Sequence, residues 1–315
     1  MKTYLVTGAA GFIGAATARQ LIAAGNRVVT VDNLSTGKES NIPEKCIFIK
    51  GNDYDTAVLE ELKNYQFEAI IHIAGQSSGE VSFENPVYDL QTNTQSTLML
   101  LNLARAMNCK KFIYASSMSV YGDADIEFVK EETLPCPKSF YAVGKMASEH
   151  YMRIYSSFGI CCTALRFFNV YGVGQNMSNL KQGMASIYLA MALKDKRILV
   201  KGSKERFRDF VYIDDVVEAV LKAEKRKMGS IFEIYNVSTG VKNTVEDVIT
   251  EIRKNLPFAV EVEYTEGTPG DQRGVYGDNS KIKKDLLWYP DYDFKTGISK
   301  MVEWALNDRK SEGRS

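Results

Sequence analysis

Apolar positions come in short, nearly unbroken runs: Thr3–Thr7, Arg27–Asp32, Cys46–Lys50, Ala69–Ile73, Lys111–Ser116 and Cys161–Phe167. They are rich in Val, Ile, Tyr and Phe. Strands covered on both faces have this pattern, because neither face needs polar side chains. Helical segments lie between them, at Phe12–Ala24, Asp55–Tyr65, Val87–Met107 and Tyr141–Phe158. Alternation of this kind predicts an α/β fold, a doubly wound parallel sheet with helices on both sides.

The pattern changes after Phe168. One helical stretch, Gly183–Leu193, lies in a segment rich in Gly, Asn and Lys. A strand-then-helix pattern returns over Asp209–Lys225, followed by a strand at Phe232–Asn236 and a helix at Val245–Asn255. A loop-rich stretch runs through Asp278, and a last helix lies near Phe294–Leu306. The expected organisation is a Rossmann-type nucleotide-binding domain over 1–168, rejoined by 207–236. A smaller C-terminal substrate-binding lobe takes 169–206 and 237–308, and 309–315 form a polar, frayed tail. The active site is expected in the cleft between domain and lobe.

The chain has 315 residues, enough for one large or two ordinary domains. Its 39 basic and 39 acidic side chains cancel, which argues against a broad basic face for nucleic acid. No apolar stretch approaches the roughly 20 residues that span a bilayer. The opening MKTYLVTGAAGFIG lacks the pattern of a signal peptide. The five cysteines have no CxxC spacing, and with only two histidines no metal site is expected. Reduced cysteines in a cytoplasmic enzyme are the simplest reading.

Gly8, Gly11 and Gly14 follow the first strand and open the first helix in the spacing GxxGxxG. Gly8 permits the tight turn, Gly11 lets the backbone approach a pyrophosphate, and Gly14 allows close helix packing. The helix start, with Phe12 and Ile13, offers unpaired N–H groups to the phosphates. Asp32 ends the second strand, where a carboxylate accepts both ribose hydroxyls and repels a 2′-phosphate, so NAD is favoured over NADP. Asn33, Ser35, Thr36 and Gly37 would border the ribose and adenine, and Asn52 and Asp53 the adenine edge. Ile73, Ala74, Gly75 and Gln76 end the fourth strand, and the small Ala74-Gly75 pair lets the chain pass close to the cofactor. His72 beside them reads as a core histidine.

Tyr141 and Lys145 are spaced to share one helix face. A free tyrosine, with a pKa of about 10, is a poor base at neutral pH. A lysine ammonium or the positive nicotinamide of NAD stabilises its phenolate. Ser117 lies at the carboxyl end of the fifth strand, where open α/β sheets place ligands. Its hydroxyl can hydrogen-bond a substrate oxygen that becomes a carbonyl.

With the segments TGAAGFIG, VDNLSTG, HIAG, SSMSVYGD, YAVGK, LRFFNVYG, RDFVYIDD and YNVSTG in this order, the chain resembles an extended short-chain dehydrogenase/reductase. The resemblance is to the nucleotide-sugar epimerase/dehydratase family and runs from Gly8 to about Lys281. It implies that Ser117, Tyr141 and Lys145 are the catalytic triad and that Asn93 is a buried asparagine near the cofactor. It further implies that Phe168 lines the nicotinamide and that Asn169 begins the sugar-nucleotide site. Asn179, Leu180 and Arg208 would hold the diphosphate.

Family dehydratases carry acids just after the catalytic hydroxyl residue. Here those positions are Met118 and Ser119, so elimination of water lacks its proton donor. The resemblance therefore implies an NAD-dependent nucleotide-sugar 4-epimerase of the UDP-glucose 4-epimerase type. The alternatives are a 4,6-dehydratase, a net dehydrogenase or reductase, and a non-catalytic NAD-binding regulator. An arginine that grips the diphosphate in the epimerases is replaced by Thr268, with Arg273 or Arg206 to compensate. Val275 aligns with the residue that limits space at the sugar C2 substituent. The family's paired long helices imply a homodimer.

Overall fold

The computed structural model describes residues 1–122, 126–178, 183–227, 231–266 and 274–311. Its centre is a parallel sheet of seven strands: β1 Thr3–Thr7, β2 Arg27–Asp32, β3 Ile47–Lys50, β4 Ala69–His72, β5 Lys111–Ser117, β6 Cys161–Phe167 and β7 Phe232–Val237. The spatial order is β7-β6-β5-β4-β1-β2-β3. The winding reverses between β1 and β4, so the crevice for a ligand opens at the carboxyl ends of those two strands.

The uninterrupted apolar runs are explained by the two faces. Tyr4, Val6, Ile71, Ile113 and Leu165 point to one side, under helix α1 (Phe12–Ala23) and a later helix, Ile213–Lys225. Leu5, Ile70, Phe112 and Ala164 point to the other, under α2 (Thr56–Leu62), α3 (Ser96–Ala106) and α4 (Phe140–Ser156). Burying one such Leu or Ile contributes about 1.5–3 kcal/mol, so the sheet carries much of the stability.

The helix expected over Val87–Met107 is present as one continuous helical run from Pro86 to Ala106, with a π-helical stretch inside it. Short helices Gly79–Glu84 and Pro86–Asp89 come first, capped by the Ser78 and Asn85 side chains, which accept from the Val81 and Tyr88 N–H groups. A π-helical turn, Leu90–Gln95, then leads into α3. That wider turn goes with Thr92 and Asn93 being buried.

The second half holds α5 (Met184–Asp195), α6 (Ile213–Lys225), α7 (Val245–Asn255) and α8 (Phe294–Ser311). Three strands of three or more residues there escaped the sequence pattern. Asn169–Tyr171 pairs with Phe210–Tyr212, and Arg197–Lys201 with Glu261–Thr265, both parallel. Segments of three to five residues, one of them mostly exposed and polar, carry too little periodicity to be read. Tyr171, Leu189, Val200, Val248, Ile252 and Met301 form this half's own core. Helix α6 joins the two cores: Val216 and Val220 face the sheet, Ile213 and Val217 the second core. Helix α8 runs to Ser311, past the Leu306 expected as its end, and the Arg309 guanidinium donates to the Leu193 carbonyl.

Candidate active site

The glycine turn is held by backbone approach. Gly8 has φ +78°, and a Cβ there would lie 2.9 Å from the Ala74 backbone. A Cβ on Gly14 would lie 2.1 Å from the Gly8 carbonyl oxygen. Gly14 therefore lets α1 close on the turn itself, rather than on the sheet. Gly11 caps the helix in extended conformation, and its N–H donates to the Gly8 carbonyl at 3.0 Å. The side chains of Phe12 and Ile13 pack against the cores, so their contribution to a phosphate is their backbone N–H.

Asp32 ties the turn to the next loop. Its Oδ2 accepts from the Ala10 N–H at 3.0 Å and its Oδ1 from the Leu34 N–H at 2.8 Å. Leu34 sits in the left-handed region (φ +60°), a strained conformation of the kind that collects at ligand sites. Asn33 donates to Asn52 Oδ1 at 2.8 Å. Ser35 and Thr36 are exposed beside it, and a Cβ on Gly37 would strike the Ala10 backbone at 2.5 Å. Asp53 is buried, and its Oδ2 lies 3.5 Å from His72 Nδ1 without a hydrogen bond. Burial pushes the Asp53 carboxyl up to about 7. His72 is the core histidine expected, with Thr7 Oγ1 at 2.8 Å and Thr97 Oγ1 at 3.1 Å. Burial holds it well below the usual imidazole range.

Thr7 went unread, because a Thr ending a strand looks like any other. Its Oγ1 accepts from the Ile73 and Ala74 N–H groups at 3.2 and 3.0 Å, fixing the passage at the end of β4. Gly75 follows, where a Cβ would lie 2.5 Å from Asn93 Oδ1. Asn93 is fully buried and donates to the Gln76 carbonyl at 2.9 Å and to Asp89 Oδ1 at 3.1 Å. Its Oδ1 has no partner. Gln76 Nε2 also donates to Asp89 Oδ1, at 2.8 Å. Asp89 was missed for lack of a signal, since an acid in a helical stretch reads as solvated. Bare glycine backbone at a helix start, a carboxylate at the end of β2 and an orphaned amide oxygen below the turn fit a dinucleotide without a 2′-phosphate.

Ser117, Tyr141 and Lys145 meet beyond this crevice. The Ser117 hydroxyl lies close enough to the Tyr141 phenol to influence its titration. Lys145 Nζ donates to the Ala115 carbonyl at 2.8 Å and lies 5.6 Å from the Tyr141 ring centre. Burial pushes the phenol up to about 12, with the nearby Ser117 hydroxyl pulling the other way. Burial pulls Lys145 down to about 8, against the raising fields of Asp89, Asp53 and Glu149.

On the substrate side, Asn169 Nδ2 donates to the Asp209 carbonyl at 3.1 Å and approaches Met118 Sδ at 3.8 Å, next to Ser117. Phe168 is buried against Tyr121, with ring centres 6.4 Å apart. Arg208 is half-buried, its Nη1 donating to the Phe207 carbonyl at 2.7 Å. Arg206 is directed to the Lys201 and Ser203 carbonyls. Val275 is buried in the sheet core. Asn179, Leu180, Thr268 and Arg273 lie outside the described residues. Among the described residues, no cluster of His, Cys, Asp and Glu could hold a metal.

A reversing parallel sheet, a glycine turn under a helix start and a Ser-Tyr-Lys set with its lysine buried define a nucleotide-dependent oxidation–reduction site. The chain belongs to the NAD dependent epimerase/dehydratase family, whose model matches residues 4–238. A UDP-glucose 4-epimerase of Mycolicibacterium smegmatis is 32% identical over 98% of this chain and 99% of its own. The crystal structure of UDP-glucose 4-epimerase from Thermotoga maritima with UDP-glucose superposes with a TM-score of 0.93 at 32% identity, covering 97% of this chain and 99% of that one. The Thermus thermophilus UDP-glucose 4-epimerase in complex with NAD gives a TM-score of 0.88 at 33% identity, covering 96% of this chain and 98% of that one.

Proposed function

We propose that this chain is an NAD-dependent UDP-hexose 4-epimerase. The observation that carries the reading is the assembled Ser117-Tyr141-Lys145 set with Met118 and Ser119, rather than acids, beside it. NAD, when bound, takes up and returns the hydride at the sugar carbon. The glycine turn, Asp32, Asn33, Asn52, Asp53 and Ile73–Gln76 hold it, with Asn93, Lys145 and Phe168 toward its reactive end. Tyr141 Oη receives the proton of the sugar 4-hydroxyl and returns it after the sugar has turned over. Ser117 orients the same oxygen, and Asn169 and Arg208 retain the nucleotide. UDP is chosen because the relatives named above are UDP-glucose 4-epimerases. Incubation with UDP-glucose and no added NAD is expected to yield UDP-galactose, resolved by NMR. A product lighter by one water would instead assign the dehydratase reaction.

Lys145 sets the alkaline limit. Its folded pKa is lowered, so the ammonium that supports the phenolate is lost above about pH 8. The kcat profile is expected to turn down there. Lys145→Arg keeps its charge to far higher pH, and its alkaline limb is expected to vanish below about pH 10 even though its maximal rate falls. A limb unmoved in the variant would show that another group sets it.

The chain is read as a homodimer. Phe83, Val87 and Leu90 are exposed on the segments before α3, and Phe140, Val143 and Ile154 on α4. Phe83 and Phe140 touch edge to face at 5.5 Å. A second copy covering both helices would bury this surface. Light scattering is expected to give twice the chain mass, and the single mass for L90E/V143E. Among the described residues no helix is long and apolar enough to cross a membrane. None of the five cysteines is joined in a disulfide, as in a reducing compartment, and this supports a cytoplasmic placement.

A further inference from the structure

The proton transfer above leaves unused the most elaborate buried polar cluster near the site. Glu149 lies one turn after Lys145 on α4. It accepts from Ser116 Oγ at 2.6 Å and takes a two-pronged bond from Arg166, Nε to Oε1 at 2.9 Å and Nη2 to Oε2 at 2.7 Å. Arg166 projects from β6 at the residue paired with Ser116 of β5. Its Nη1 donates to the Tyr121 hydroxyl at 2.9 Å and to the Glu131 carbonyl at 3.1 Å. Tyr121 in turn donates to Asn236 Oδ1 on β7 at 2.6 Å. Glu149 and Arg166 are both almost inaccessible to solvent.

A buried ion pair is a poor source of stability, since apolar residues of similar volume often do as well. It does fix geometry, because a forked pair tolerates little sliding. Here it acts at two consecutive strand residues: Lys145 is tied to the Ala115 carbonyl and Glu149 to the Ser116 side chain, immediately before Ser117. We propose that the Glu149–Arg166 pair is a positioning device that locks α4 in register against β5 and β6. It thereby keeps Tyr141 and Lys145 aligned with Ser117. The inference rests on the epimerase reading only for its kinetic test.

The test compares wild type with E149L/R166M, each assayed at the same interval below its own Tm. The expected result is a kcat lowered at least tenfold, with KM and bound NAD changed less than twofold. A double variant with wild-type kcat, or one whose loss lies in KM or bound NAD, overturns the proposal. Should the double variant not fold, S116A carries the test: a threefold or larger loss confined to kcat is expected, and an unchanged kcat overturns it. Wild type that interconverts no UDP-hexose would sink the epimerase reading alone. Hydrogen exchange then decides. Exchange at Ala142–Glu149 at least tenfold faster in the variant, with α7 unchanged, upholds the positioning role, and unchanged exchange refutes it.

Discussion

Tyr141→Phe lowers kcat by about 10²–10⁴-fold, the span of one general acid–base group, while bound NAD stays at the wild-type level. The phenol is half-buried beside Ser117. Ser117 is itself a poor base, and Lys145 is committed to the Ala115 carbonyl. Phe fills the same space, so the fold and the crevice survive the change. The check is steady-state kinetics beside the absorbance of bound cofactor in the same preparation. A variant within threefold of wild type would remove Tyr141 from the reaction.

Gly14→Ala acts on the other half of the site. The new methyl would lie 2.1 Å from the Gly8 carbonyl oxygen and 2.5 Å from its carbon, both backbone atoms that cannot swing aside. Either α1 lifts or the turn opens, and in both cases the N–H groups aimed at the pyrophosphate are displaced. Overpacking of this kind costs about 1–3 kcal/mol in stability. The larger consequence is for the cofactor. Purified Gly14→Ala is expected to carry less than a tenth of the NAD of wild type, measured after acid release, and to melt earlier. Full NAD occupancy would show that the turn accommodates the methyl.

What could be read in the sequence follows from how much pattern each element carries. Strands buried on both faces write long apolar runs, and the glycines at 8, 11 and 14 are demanded by backbone contact, so the sheet and the dinucleotide turn were legible. The helical run after Asn85 was legible but its π-turn was not, because it changes the period over only six residues, Leu90–Gln95. The paired segments Asn169–Tyr171 and Arg197–Lys201 owe their structure to distant partners, which local composition does not reveal. Thr7 and Asp89 left no trace because each is an ordinary residue for its element. Arg166 did leave one. A charge between Leu165 and Phe167, inside a run covered on both faces, must be paired, and that reasoning leads to a buried acid such as Glu149.

In the mechanism proposed, hydride leaves one sugar carbon and returns to the same carbon. UDP-glucose carrying deuterium at C4 is the direct probe, incubated with the purified protein without added NAD and followed by NMR and mass spectrometry. The result expected is UDP-galactose of unchanged mass with the deuterium still at C4. Deuterium lost to water, or carried to C6 in a product lighter by the mass of water, would contradict it.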